Sequence, residues 1–591
     1  MLTEDLKHLD YFELVREAKR LDTTGFTESL RIAILSDAAT QQLIPLLSVL
    51  CARAGVRAEL YAAEFDSIEL EIYNPASGLY SFDPDVVALL HSPNALRLKY
   101  YRDEGDRAVL AGTLARQLAD LWDSIRTRST ATIVQSNFPL PYERPFGNFD
   151  RKVEGSPTAV VLALNAQLAA LARERPFVLV HDVEALASYV GRRTWSDERL
   201  WMMAKALCAL EHMPLLAQSL VDIALTTRGR TVKCVVVDLD NTLWGGVIGD
   251  DGVQGIHIGP FGEGEPFYRL QLFLRELKRR GVILAVCSKN EEGAALQPFR
   301  EHADMVLREA DFAVFMANWN TKVDNLKAIR EVLNIGFDSI AFLDDNPFER
   351  NIVRQYLPAV IVPELPEEPA DYVRCLSELN LFETNTFTEE DRRRADLYRE
   401  ESSRKVLGQR FTDVGDYLRS LEMCITLARF DAFHLPRIAQ LIQRSNQFNL
   451  TTRRYGVAEC EAMMVDARCE PLYLRLRDRF GDSGLISVII LRYDPDVLTV
   501  DSWLMSCRVL GRGVEQYAMN HVVEVARRRG YEAITGEYRP TAKNAMAMNF
   551  YAQFGFRKVE ERPDGTAVWV LKVEDYEARP TFLRPAEEAT R

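Results

Sequence analysis

Residues 234–246 read Cys-Val-Val-Val-Asp-Leu-Asp-Asn-Thr-Leu-Trp-Gly-Gly, and no other stretch constrains the fold so tightly. Four apolar residues, Cys234 to Val237, predict a short strand buried on both faces, as in a parallel sheet covered by helices. The strand runs directly into Asp238-x-Asp240-x-Thr242. In open α/β sheets the carboxyl edge of the strands is where ligands bind. Two acids spaced by two point to the same side and can share a cation, with one left to do chemistry. The competing reading, two solvated turn acids, weakens downstream. Val282–Cys287 predicts a second buried strand, ending in Ser288-Lys289-Asn290, and Ser339–Leu343 a third, ending in Asp344-Asp345-Asn346-Pro347. Between them, Trp319-Asn320-x-Lys322-x-x-Asn325-Leu326 opens a helical pattern through Val332. Strands alternating with helices make a βαβ series around a parallel sheet.

Taken in order, these four motifs resemble those of the haloacid dehalogenase (HAD) superfamily of phosphohydrolases, with a Rossmann-like domain. The resemblance implies that Asp238 is the nucleophile, giving an aspartyl phosphate, and that Asp240 protonates the leaving group and then activates water. Ser288 and Lys322 would hold phosphoryl oxygens. Asp238, Asp344 and Asp345, with the backbone carbonyl of Asp240, would form a Mg²⁺ site built of hard oxygen ligands. Cys234 and Cys287 lie on the strands and read as core residues.

A chain of 591 residues has room for three or four domains, and 47% hydrophobic residues suffice for several cores. No apolar run is long enough to span a bilayer, and the polar, acidic start at Met1–Asp10 lacks a signal pattern. Nine cysteines without framework spacing suit a reducing cytoplasm. A net charge of −14 argues against a general nucleic-acid binder. The expected organisation is multidomain α/β: 1–228, 229–379, a linker over 380–399, 400–577, and a frayed tail over 578–591.

In the block 1–228, strands are expected at Arg31–Leu35, Asp85–Leu90, Thr132–Gln135 and Pro176–His181, with helices between, a doubly wound parallel sheet. It resembles the flavodoxin-like, SGNH-hydrolase-like module. Ser36 sits where that family's nucleophile sits, and Asn137 matches its oxyanion residue. No D-x-x-H supplies the base, and nothing fixes His181 as a partner of Ser36. A serine without a base is a poor nucleophile, which favours a binding or docking module over a live esterase site. The turn-rich segment Asn137–Asp150 reads as an ordered surface loop.

In the block 400–577, Leu472–Leu476 and Leu485–Tyr493 read as paired strands around the turn Gly481–Gly484, and Val497–Met505 as a third. Arg508-Val-Leu-Gly511-Arg512-Gly513 then leads into a helix over Val514–Arg529. Bare backbone N–H groups at a helix start form a pyrophosphate cradle; a simple tight turn is the other reading. With Asn544 and Asn549-Phe-Tyr551-x-x-Phe554-Gly-Phe556 following, the block resembles the GNAT acetyltransferase fold. That resemblance implies that Arg508, Gly511, Arg512, Gly513, Asn544 and Tyr551 bind CoA or the phosphopantetheine arm of a carrier protein. Cys507, beside Arg508 and the loop, is a candidate acyl-bearing thiol or else a strand-end core cysteine.

Trp244–Gly252 (WGGVIGDDG), Asn446–Tyr455 (NQFNLTTRRY) and Ser506-Cys507-Arg-Val-Leu-Gly together resemble the FkbH-like proteins of HAD subfamily IIIC over about residues 230–575. This resemblance implies dephosphorylation of 1,3-bisphosphoglycerate and loading of its glyceryl group onto an acyl-carrier protein in polyketide-type biosynthesis. Only about 40 residues separate the first two HAD motifs, too few for a large cap, so the site would be open to a substrate on a carrier arm. Two alternatives stay open: a phosphatase acting on a sugar phosphate or another small metabolite, and a non-catalytic scaffold. Because carrier proteins tend to be acidic, docking would need local cations, with Arg453, Arg454, Arg508, Arg512 and Arg527–Arg529 as candidates. The last three more often simply cap a helix C-terminus, where cations favour the dipole.

Overall fold

Three sheets organise the chain in a computed structural model, which describes residues 10–387, 397, 398, 400, 404, 407, 411, 413–445, 447–541 and 543–586. Half of the expected 380–399 linker, Asn446 and the tail beyond 586 lie outside the described residues. Two compact units emerge: Met1–Arg228 with Ser377–Asn385, and Gly229–Leu376 with Thr386–Arg591. The HAD and C-terminal blocks, expected as separate domains, therefore share one unit.

The first unit holds strands β1 (Ser29–Ser36), β2 (Arg57–Ala62), β3 (Val86–Leu90), β4 (Thr132–Ser136) and β5 (Val178–His181). All are parallel, in the order β2-β1-β3-β4-β5. Helices Ile44–Arg53 and Met213–Thr226 build one core layer, while Arg107–Arg126 and Pro157–Arg173 build the other, so the sheet is doubly wound. β2, with the sequence RAELYA, escapes sequence reading because it is the sheet edge and none of its residues is fully buried.

His181, at the end of β5, is fully buried, and neither ring nitrogen has a hydrogen-bond partner. Burial pulls its pKa from 6.5 down to about 4. The folded state thus takes up the proton less readily than the unfolded chain. Stability is full above pH 6.5 and falls as the pH drops towards 4, by about 3 kcal/mol at the lower end. Urea unfolding of this unit at pH 7 and pH 4 should show that loss, and His181→Leu should remove it from the difference between the two pH values.

In the second unit, β6 (Cys234–Val237), β7 (Ile283–Ser288), β8 (Phe312–Ala317) and β9 (Ile340–Leu343) form a parallel sheet in the order β8-β7-β6-β9. β6 is central, paired with β7 and β9, and all four of its residues are buried, which is why it reads as an unbroken apolar run.

The rest of the unit is a mixed sheet of β10 (Cys424–Arg429), β11 (Cys469–Asp478), β12 (Gly481–Tyr493), β13 (Leu498–Met505), β14 (Ala533–Tyr538), β15 (Arg557–Glu561), β16 (Ala567–Lys572) and β17 (Arg584–Pro585). Its order is β15-β16-β14-β13-β12-β11-β10-β17. β13 and β14 pair in parallel only over Leu498–Val500 and then part, with helix Val514–Arg529 crossing between them, a GNAT-like arrangement. Two expectations are corrected here. The β11–β12 reversal falls at Arg479-Phe480 and not at Gly481–Gly484, because the Asp478 carboxylate accepts from the Phe480 and Gly481 N–H groups at 2.9 and 3.3 Å. The tail does not fray throughout: Arg584 and Pro585 pair with Cys424 and Ile425 at the sheet edge.

Asp478 is the centre of a buried ion cluster. Its oxygens accept from Arg404 Nε at 2.7 Å and Nη2 at 2.8 Å, and from Arg512 Nη1 at 3.3 Å. Among the described residues, no helix is long and apolar enough to cross a membrane.

Candidate active site

The carboxyl ends of β6, β7 and β9 converge. Asp238 follows β6, Ser288 ends β7, and Asp344 and Asp345 follow β9. Lys322 opens the helix Lys322–Leu333, whose N-cap Thr321 accepts from Asp324 N, and this fixes the lysine's entry into the site. Lys322 is 3% exposed, and its Nζ lies 2.7 Å from Asp238 Oδ2 while also donating to Asp344 Oδ2. Burial opposes the ammonium charge, but Asp238 and Asp344 outweigh it and hold Lys322 well above its usual range.

Three carboxylates crowd this one cation. Oxygens of Asp238, Asp344 and Asp345 lie within 4.8 Å of one another. Burial, then the charge of Asp238, pushes Asp344 up to about 6 against the pull of Lys322. The same two causes raise Asp345. Asp238 Oδ1 is buried without a hydrogen-bond partner. An orphaned oxygen, an excess of negative charge and an all-oxygen donor set fit a hard divalent cation such as Mg²⁺.

Asp240 stands apart from this group. Its Oδ1 accepts from Trp244 Nε1 and Ile248 N, both at 3.0 Å, and its Oδ2 accepts from Asn290 Nδ2 at 2.9 Å. The carboxylate is half-buried and aimed by three donors, a setting that suits a group exchanging protons at the site mouth. Ser288 is buried, with its Oγ accepting from Asn290 Nδ2 at 3.1 Å. Asn290 therefore ties Ser288 to Asp240, a role the sequence reading did not assign. Thr242, the third member of the first motif, gains a role here: its Oγ1 accepts from Asp345 N at 3.1 Å and donates to Asp345 Oδ1 at 3.3 Å. Arg350, unsignalled by any motif, is buried and donates to the carbonyls of Asp344 and Asp345 at 2.8 and 2.7 Å, bracing the acid pair.

The residues expected at a pantetheine site are not brought together at one surface. Arg512 is buried against Asp478 and donates to the Arg508 carbonyl at 2.8 Å, so its charge is spent inside the fold. Asn544 is fully buried and clasps its own loop, donating to the Asn449 and Arg539 carbonyls and accepting from Thr541 N. Tyr551 is a core residue that fills the space over Gly536, where a Cβ would lie 2.2 Å from the tyrosine oxygen. Gly511 and Gly513 adopt the left-handed backbone expected of a cradle, at φ 75° and 84°. However, Gly511 N–H already donates to Glu515 Oε1 at 2.9 Å, so a carboxylate from the helix's first turn takes the anion seat.

Cys507 and Arg508 do face open space. They line a cleft of about 470 Å³ together with Lys233, Arg330, Arg437 and Lys543. Asn334 Nδ2 donates to the Cys507 carbonyl at 3.0 Å, joining the HAD sheet's amino edge to this cleft. In the first unit, Ser36 Oγ donates to the Leu90 carbonyl at 2.7 Å and is buried, and Asn137 Nδ2 donates to Asp182. Neither forms a nucleophile–base pair with the orphaned His181.

The strand-end acids bridged by a buried lysine define a HAD-like phosphatase domain. Residues 31–225 match the family model described as FkbH, N-terminal domain. The N-terminal part of the protein BF1531 from Bacteroides fragilis, solved as a phosphatase-domain structure complexed with Mg, is 38% identical, with a TM-score of 0.61, and the match covers 64% of this chain and 100% of that one. The chain belongs to the family of that phosphatase-domain protein. Weaker likenesses over the C-terminal part include the ribosomal-protein-S18-alanine N-acetyltransferase of Escherichia coli, 16% identical, covering 25% of this chain and 94% of that one at a TM-score of 0.21. The spermidine N-acetyltransferase of Vibrio cholerae in complex with CoA and spermine is 14% identical, covering 26% and 97% at a TM-score of 0.21, too slight a likeness to build on. No curated protein matches the sequence.

Proposed function

We propose that the chain is a Mg²⁺-dependent phosphohydrolase whose Asp238 attacks phosphorus. The observation carrying this reading is the Lys322 ammonium bridging Asp238 and Asp344 beside the orphaned Asp238 oxygen. The Asp238–phosphorus bond forms as the ester P–O bond breaks, and Asp240 gives its proton to the leaving oxygen. Water then attacks the aspartyl phosphate, Asp240 takes the proton back, and phosphate leaves. Lys322 and Ser288 hold the phosphoryl oxygens through both steps. Mg²⁺ held by Asp238, Asp344 and Asp345 would offset charge on the transferring group. Asp344→Ala should raise the Mg²⁺ concentration needed for half-maximal phosphate release at least about tenfold, and exhaustive chelation should abolish release. Full activity in chelator would contradict the reading.

We further propose that the physiological substrate is 1,3-bisphosphoglycerate and the acceptor the phosphopantetheine thiol of an acyl-carrier protein. The thiol sulfur bonds to the acyl carbon as the C–O bond to the 1-phosphate breaks, inorganic phosphate leaves with the thiol proton, and the HAD site hydrolyses the remaining phosphate ester. The basic cleft that holds Cys507 and Arg508 supports an anionic donor near a thiol chemistry site. Intact-mass spectrometry of a phosphopantetheinylated carrier, incubated with the protein, Mg²⁺ and 1,3-bisphosphoglycerate, should reveal a glyceryl adduct. Phosphate release without an adduct would favour the second reading, a phosphatase for a sugar phosphate or another small metabolite.

A further inference from the structure

In the first unit's sheet, β1 leads to β2 on one side, and the chain then crosses to β3 on the other. The strand order reverses between β1 and β3, the position where open α/β sheets place ligands. Ser36 and Leu90 are register partners there, so Asp37 and His91 leave the neighbouring strand ends in step. Asp37 Oδ1 accepts from Ser92 N at 2.7 Å, and Oδ2 faces His91 Nδ1 at 3.3 Å. The His91 backbone N–H is held in turn by Ser136 Oγ at 2.9 Å. A carboxylate can only accept, so Nδ1 carries the hydrogen, and it is the neutral form of the ring that presents a lone pair at Nε2. The His91 side chain is 9% exposed, and Nε2 has no hydrogen-bond partner. A buried ring nitrogen left unpaired beside a deliberately oriented partner is costly unless something else satisfies it.

Asp37 and His91 line a cavity of about 270 Å³. One part of its wall is apolar, formed by Leu114, Leu118 and the Phe138 ring, whose centroid is 5.9 Å from that of His91. Exposed Asp66 and Glu69 line it against one exposed cation, Lys99, so the charge disfavours an anion. We propose that this cavity binds a small molecule with an apolar body and a hydroxyl or ammonium group, which donates to His91 Nε2. The site is independent of the phosphohydrolase reading, since it uses none of those residues.

Full-length protein carrying [15N]histidine reports on it directly. His91 is one of eight histidines, and its resonance is assigned with His91→Gln. Three matched probes share one apolar body: benzyl alcohol, benzylammonium and benzoate. A saturable shift of the His91 Nε2 resonance with either donor probe, and none with benzoate, is expected. Leu114→Trp, which fills the cavity without touching the dyad, should weaken that response at least fivefold. Silence with both donor probes, an equal response to benzoate, or an undiminished response in a folded Leu114→Trp protein would overturn the proposal.

Discussion

Phosphate release by an Asp238→Asn variant is expected to fall at least about a thousandfold while the fold survives. The amide keeps the shape of the carboxylate but cannot attack phosphorus. Lys322 keeps its second partner, Asp344, so the buried ammonium is not stranded. The substitution also removes one of three crowded carboxylates, the one whose charge raises both Asp344 and Asp345. In chelator, the variant should therefore melt no lower than the parent, and its gain in melting temperature on adding Mg²⁺ should shrink. Rapid phosphate release by the folded variant would dismiss Asp238 as the nucleophile. A large drop in melting temperature in chelator would instead dismiss the account of electrostatic crowding.

The second large effect belongs to Asp478. Asp478→Ala is expected to destabilise the second unit by about 3–5 kcal/mol, because it removes the buried carboxylate to which Arg404 donates twice and Arg512 once. It also frees the Phe480 and Gly481 N–H groups that shape the β11–β12 reversal. Arg512→Glu would set a second carboxylate against Asp478 and should disrupt the same region. Phosphate release should therefore fail in that variant as the unit unfolds. Denaturant melts of Asp478→Ala decide the matter, and a change below about 1 kcal/mol would show the cluster to be energetically idle.

The candidate site was legible as a cluster because its residues sit within a few positions of strand ends. Asp238, Ser288, Asp344 and Lys322 each follow or precede an apolar run that announces its place. The Asp37–His91 pair was not legible, since 54 positions separate the two and only the parallel register of β1 and β3 aligns them. The same holds for Arg404 and Asp478, which lie 74 positions apart. The glycine cradle misled for another reason. The backbone pattern of Gly511 and Gly513 is present as read, but Glu515, one turn into the helix, satisfies the loop from within. Tyr551 and Asn544 fit a motif by spacing, while their burial makes them packing and loop-closing residues.

The four-stranded sheet has two working edges. Asp238 leaves the carboxyl end of β6, whereas Lys233, just before its amino end, lines the Cys507 cleft. By strand rise the two positions are roughly 16 Å apart. The sheet is thus a septum with the candidate acids on one bank and a thiol-bearing cleft on the other. A free small molecule finishing at one bank would enter bulk water before reaching the other, where a scavenging enzyme could intercept it. A tethered substrate would swing round the septum and escape capture. Sensitivity to such a trap therefore measures whether the two banks are joined by diffusion or by a leash.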